Sequence, residues 1–112
     1  MKYQITTVSK FDKQLKALAK KYPSVKNDLI ALVESLSNDP FSGKLLFNDV
    51  YKIRMRVTSK NKGKSGGARV IYFNLFAQKA DNNEIVLLAV YDKSEQSSIS
   101  DNQIIEALKS VF

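Results

Sequence analysis

Residues 85–91 read IVLLAVY, seven apolar positions without a break. The run is too short to cross a bilayer, which takes about 20 residues. Its length and its β-branched content are those of a strand. A strand that is apolar on both sides must be covered on both sides, so it belongs in the middle of a sheet. The rest of the chain has to supply neighbours for it.

The sequence offers them in order. Residues 2–8 hold Tyr3, Ile5 and the β-branched Thr6, Thr7 and Val8, which suggests a first strand. Ser9 can cap a helix in which Phe11, Leu15, Leu18 and Tyr22 recur at helical spacing, until Pro23 closes it. Its other face carries Lys10, Lys13, Lys16, Lys20 and Lys21, read as a solvated face. Ser24 can cap a second helix, with Leu29, Leu32, Val33 and Leu36 as its stripe and Asn38-Asp39-Pro40 as its stop. After a loop containing Gly43, Tyr51, Ile53, Met55 and Val57 alternate with Lys52, Arg54 and Arg56, the cleanest period-two pattern in the chain. Residues 58–67 are polar and glycine-rich and predict a hairpin loop. Strands follow at 68–76 and 84–91, with a turn at 80–83 between them. Ser100 and Gln103 fit a capping box before a short helix marked by Ile104, Ile105, Leu108 and Val111. The expectation is a single α+β domain in the order β-α-α-β-β-β-α. It consists of a small twisted antiparallel sheet, an N-terminal helical hairpin packed on it and a short C-terminal helix.

The net charge of +7 is not spread evenly. From Lys44 to Arg69 there are eight basic residues against Asp49 alone, while the remaining ten basic and ten acidic residues cancel. A local excess of this kind points to a site for a polyanion. Taken alone, the cations at 52, 54 and 56 could be a solvated face that discourages edge pairing. Confinement of the whole excess to one segment decides for a site. The chain has no cysteine and no histidine, which removes disulfides, zinc-thiolate sites and the commonest general base. No cofactor is expected. The sequence GKSGG at 63–67 is not a phosphate-binding P-loop, because Thr58 stands where that motif needs glycine and a strand follows where it needs a helix. The N-terminal residues carry no apolar stretch of signal-peptide type, so the expected location is cytoplasmic, with no membrane partner.

Three stretches, in order, resemble the RelE/ParE superfamily of type II toxins, and within it the HigB-like branch. They are LSNDPFSGKLL at 36–46, YKIRMR at 51–56 with GKSGGARVIYF at 63–73, and VYDKSE at 90–95 before the last helix. The most specific element is KSGGARVIY directly after the cationic strand. The resemblance implies a helical hairpin on a small antiparallel sheet. It also implies mRNA cleavage in the ribosomal A site without a metal, and a cognate antitoxin as partner beside the ribosome and mRNA.

Cleavage of this type needs a proton taken from the 2′-hydroxyl, stabilisation of the phosphorane charge, and help for the leaving 5′-oxygen. Arginine matches phosphate oxygens with a planar fork. Arg54, Arg56 and Arg69 are the candidates for that role, and Arg69 aligns with the family's arginine in the strand after the loop. Neighbouring cations favour the neutral form of a lysine, so Lys52, Lys64 and Lys93 are candidate proton carriers. Lys93 matches a basic position just after the family's last strand. Lys52, Lys60 and Lys62 are expected to contact RNA, and Tyr91 to orient or stack on a base. Some members place an arginine and a later tyrosine after the last strand, where this chain has Ser94, Glu95 and 98–100, so the acid and base stay open. Two other readings remain: a ParE-like toxin that inhibits DNA gyrase, since a fold does not fix function, and a nucleic-acid-binding module without catalysis.

Overall fold

In the computed structural model, residues 3–60, 67–79 and 81–112 are described. Strand β1 (Gln4–Thr7) leads into helices α1 (Ser9–Lys21) and α2 (Val25–Asn38). Strands β2 (Lys44–Phe47), β3 (Val50–Met55) and β4 (Ala68–Asn74) follow. A 3-10 turn at Leu75–Ala77, strand β5 (Glu84–Asp92) and helix α3 (Asp101–Lys109) complete the order. The sheet runs β1-β5-β4-β3-β2. The α+β class, the helical hairpin and the short C-terminal helix are as the sequence predicts.

Two features differ. The sheet is mixed, not wholly antiparallel, because β1 pairs with β5 in parallel, Ile5 opposite Ile85 and Thr7 opposite Leu87. These strands lie at opposite ends of the chain, so no tight turn forces them to run against each other. A strand also precedes the cationic one: β2 pairs with β3 across a turn in which Asn48 and Asp49 both have positive φ, 37° and 65°. Asn and Asp tolerate that conformation, and an Asn-Asp pair between apolar residues is a two-residue hairpin signal.

Helix starts follow the sequence only in part. The capping box of α3 is complete, with Ser100 accepting from the Gln103 amide and Gln103 accepting from the Ser100 amide. The N-cap of α1 is Val8 rather than Ser9, and it makes no side-chain cap bond. Ser24 is the N-cap of α2 with helical backbone angles, and its hydroxyl donates to Asp28 at 2.7 Å instead of capping an amide.

β5 is central and covered on both faces: every residue from Ile85 to Asp92 is buried. α1, β1, β4 and α3 all pack against it. Where β1 stops, Gln14 of α1 takes over, accepting the Val90 amide at 3.0 Å. Residues opposite one another in a sheet point to the same side. One side carries Tyr51 stacked on Tyr72 at 5.3 Å, with Phe41 against Tyr51 at 6.1 Å. The Tyr72 hydroxyl donates to Pro40 and accepts the Gly43 amide, both at 3.0 Å, tying that side to the end of the helical hairpin. The other side carries Phe73, in edge contact with Phe112 just beyond α3 at 5.7 Å. The C-terminal segment therefore covers one end of this side, and the β3–β4 end lies beyond it.

Phe11 is fully buried, whereas Leu45 on edge strand β2 is 55% exposed. Phe11→Ala is expected to cost about 3–5 kcal/mol, and Leu45→Ala no more than about 0.5 kcal/mol, measured as shifts in the urea unfolding midpoint.

Candidate nucleic-acid interface

The ladder between β3 and β4 sets Arg54 directly opposite Arg69, and the ladder between β4 and β5 sets Arg69 opposite Tyr91. The three form one row across the sheet, on the same side. Two residues along β3, Lys52 faces the same way and stands opposite Lys44 of β2. Like charges directly across a strand pair are destabilising. Here there are two such pairs side by side, Arg54 with Arg69 and Lys44 with Lys52. A bound polyanion would relieve both. Lys44 joins the group only because β2 exists, which is why the sequence pattern did not single it out.

Arg54 is exposed and Arg69 half-buried, with Arg69 Nη1 donating to the Ala68 carbonyl at 3.2 Å. Tyr91 is only 6% exposed, and its hydroxyl has no hydrogen-bond partner among the described residues. Burial pushes the Tyr91 hydroxyl pKa up, and the charge of Arg69 pulls against that rise. The buried ring presents no open face on which a base could stack.

The other predicted cations are placed elsewhere. Arg56 follows the end of β3 and reaches Asp28 of α2 electrostatically. Burial alone would raise the Asp28 carboxyl, but hydrogen bonds from Thr58 and Ser24, with the charge of Arg56, hold it below its ordinary value. Lys60 is not in the row either. Its Nζ donates to Asp92 Oδ1 at 2.8 Å and lies 5.2 Å from the centre of the Tyr22 ring. Lys93 is half-buried in the turn after β5, and its amide donates to the Gly67 carbonyl at 3.2 Å. Lys62 and Lys64 lie outside the described residues. The structure thus brings Lys52, Arg54, Arg69 and Tyr91 together on one side and sets Arg56 and Lys60 apart.

Asp92 carries no functional signal in the sequence, where it lies beside Lys93 and near Glu95, outside the cationic segment. It is buried, and Oδ1 accepts from Lys60 Nζ, from the Ser94 amide at 2.9 Å and from the Ser94 hydroxyl at 2.7 Å. Burial raises the pKa of this carboxyl, yet the hydrogen bonds from Lys60 and Ser94 outweigh it and bring the value down to about 2. Among the described residues no group of three His, Cys, Asp or Glu side chains is arranged to hold a metal ion. Nor is any described helix long and apolar enough to cross a membrane.

No protein-family model matches the chain. Among solved structures, it is similar to a double arginine-to-alanine mutant of the E. coli toxin RelE in the free state. The TM-score is 0.63 over 100% of both chains, at 16% sequence identity. The fold is that of RelE.

The depressed Asp92 value has a sign. The group adds stability above its ordinary value of 3.8, and that contribution is lost as pH falls through about 2. The urea midpoint of the native chain should therefore drop more steeply across this window than that of Asp92→Asn, which lacks the titrating carboxylate.

Proposed function

We propose that the chain is the toxin of a type II toxin–antitoxin system, and that it cleaves translated mRNA in the cytoplasm, on the ribosome. The observation that carries the reading is the pair of like-charge rungs, Arg54 with Arg69 and Lys44 with Lys52, on one side of the sheet. Such an arrangement costs stability in the free protein and gains it back on an anion. The RelE fold and the HigB-like motifs of the sequence support RNA as that anion, and an antitoxin as the second partner.

In this reading the 2′-hydroxyl of the RNA attacks the adjacent phosphate and the 5′-oxygen leaves. Arg54 and Arg69 hold the phosphate oxygens from two strands, so that the fork geometry is set before the substrate arrives. Lys52 and Lys44 bind the neighbouring backbone as point charges. Tyr91 is buried opposite Arg69 in the row, and the two interact electrostatically. Lys93, in the turn after β5, and Lys64 are the candidate proton carriers, and Lys62 adds backbone contact. Arg56 and Lys60 stand apart from the row, engaged with Asp28 and Asp92. With no histidine in the sequence, the proton transfers of this reaction fall to other side chains.

Primer extension on a defined mRNA, with and without 70S ribosomes, tests this. Cuts should appear only with ribosomes, and Arg69→Ala or Arg54→Ala should reduce the rate about 100-fold. Cuts on naked RNA would make the protein a free endonuclease. No cuts in either arm would overturn the reading, and a supercoiling assay with DNA gyrase would then be the next measurement.

The electrostatic part has its own signature. Affinity for single-stranded RNA should fall steeply with salt, and each phosphate contact removed should flatten the log–log slope by about 0.7. Arg54→Ala and Lys52→Ala are each expected to do so in a fluorescence anisotropy titration.

A further inference from the structure

Arg54 and Arg69 sit one rung from the end of their ladder, where Met55 opposite Ala68 is the last pair. Ladder ends fray unless something holds them, and here the rung next to the end carries two like charges. Both strands are nevertheless held firmly just past that point. On the β3 side, three consecutive residues are anchored outside the hairpin, two at the start of α2 and one at the end of β5. Thr58 donates to Asp28 through its amide at 3.0 Å and its hydroxyl at 2.6 Å. Ser59 donates its amide to the Ser24 hydroxyl at 2.8 Å. Lys60 binds Asp92 at 2.8 Å over the Tyr22 ring. On the β4 side, Gly67 has φ +63°, and a Cβ there would meet the Met55 carbonyl at 2.4 Å. Only glycine lets the two strands approach this closely. The Gly67 carbonyl in turn accepts the Lys93 amide.

We propose that Asp28 and Asp92 are positioning residues for the cationic row: they clamp the end of the β3–β4 ladder and so keep Arg54 opposite Arg69 despite their repulsion. The inference rests on the reading of that row as the RNA site. Neither carboxylate touches RNA. Asp28 works through Thr58 and Ser24, at the start of α2. Asp92 works through Lys60, which in this view is a strut and not a ligand for phosphate. The strut is well built for that purpose: the Lys60 side chain is 17% exposed, that of Asp92 2%, and an ion pair this sheltered is screened little by salt.

The strut and the ligand give opposite signs. If Lys60 were an RNA ligand restrained by Asp92, Asp92→Asn would free a cation, tighten RNA binding and steepen its salt dependence. If Lys60 is a strut, Asp92→Asn lowers ribosome-dependent cleavage about tenfold or more, with the salt slope unchanged, because misplacement of a reacting group by about 1 Å costs up to 100-fold. Lys60→Met should behave like Asp92→Asn, and Lys60→Arg, which keeps the pair, should retain cleavage. Asp28→Asn lies on another element and should lower cleavage too, which keeps the test open if Asp92→Asn fails to fold.

Amide exchange reads the clamp without reference to cleavage. In Lys60→Met and Asp28→Asn, the Lys93 amide bonded to Gly67 should exchange about tenfold faster. The Asn74 amide, bonded to Asp49 at the other end of the hairpin, should not change. Unchanged exchange at Lys93, or wild-type cleavage in Asp28→Asn and Asp92→Asn, would overturn the proposal. A native protein that cuts nothing would instead overturn the RNA-cleavage reading, and the exchange rates would still decide whether the clamp exists.

Discussion

Burial of β5 on both faces is the constraint around which the other elements are arranged. A strand with no polar side cannot lie at an edge or face water, so the chain has to bring cover from both ends. The helical hairpin packs from one side and α3 from the other. β4 pairs along one edge. β1 pairs along part of the other edge, and Gln14 satisfies the Val90 amide that β1 leaves behind. Hydrophobic burial of this kind is non-directional. The direction comes from the ladder, which turns a buried strand into a fixed row of positions across its neighbours.

That row is where stability and charge oppose each other. Residues 69 and 54 could be packed with apolar or oppositely charged side chains at lower cost, and the sheet would be more stable for it. Holding two guanidinium groups opposite one another on a rigid sheet fixes their geometry before any anion arrives. The organisation cost is met during folding, not on binding. The C-terminal segment covers one end of the same side, and in the proposed function RNA would lie over the other end. The cations of β3 thus differ from those of α1, which stand on the solvent side of a helix with no ladder to align them.

Much of this could be read in the sequence. The period-two run from Tyr51 to Val57 announced a strand with one charged side, and the unbroken run before Tyr91 announced its covered neighbour. Ser100 with Gln103 announced the last helix, because a capping box is a local device whose two bonds involve residues three apart. Ser9 and Ser24 carry the same residue type without the same outcome, since tertiary contacts claimed the backbone at Val8 and the hydroxyl at Ser24. The parallel pairing of β1 could not be read, because nothing local records which distant strand a four-residue segment will join. β2 could have been found from Asn48-Asp49, whose tolerance of positive φ makes a two-residue turn.

Within the candidate site the split follows the same physics. Alternation predicts which side of its own strand a cation takes, so Lys52 and Arg54 were legible together. It fails past the end of the strand, and Arg56, one residue beyond Met55, turns toward Asp28 instead. Lys60 looked like one more cation of a basic loop, because charge counting treats every lysine alike. Its partner lies 32 residues away in sequence, at the end of the strand that nothing else could replace. The hydrogen bond and charge of Lys60, with the two hydrogen bonds from Ser94, keep this buried carboxylate ionised. The pair therefore fixes Lys60 as firmly as it neutralises Asp92. A basic segment can owe its geometry to the cations that have been taken out of its charge.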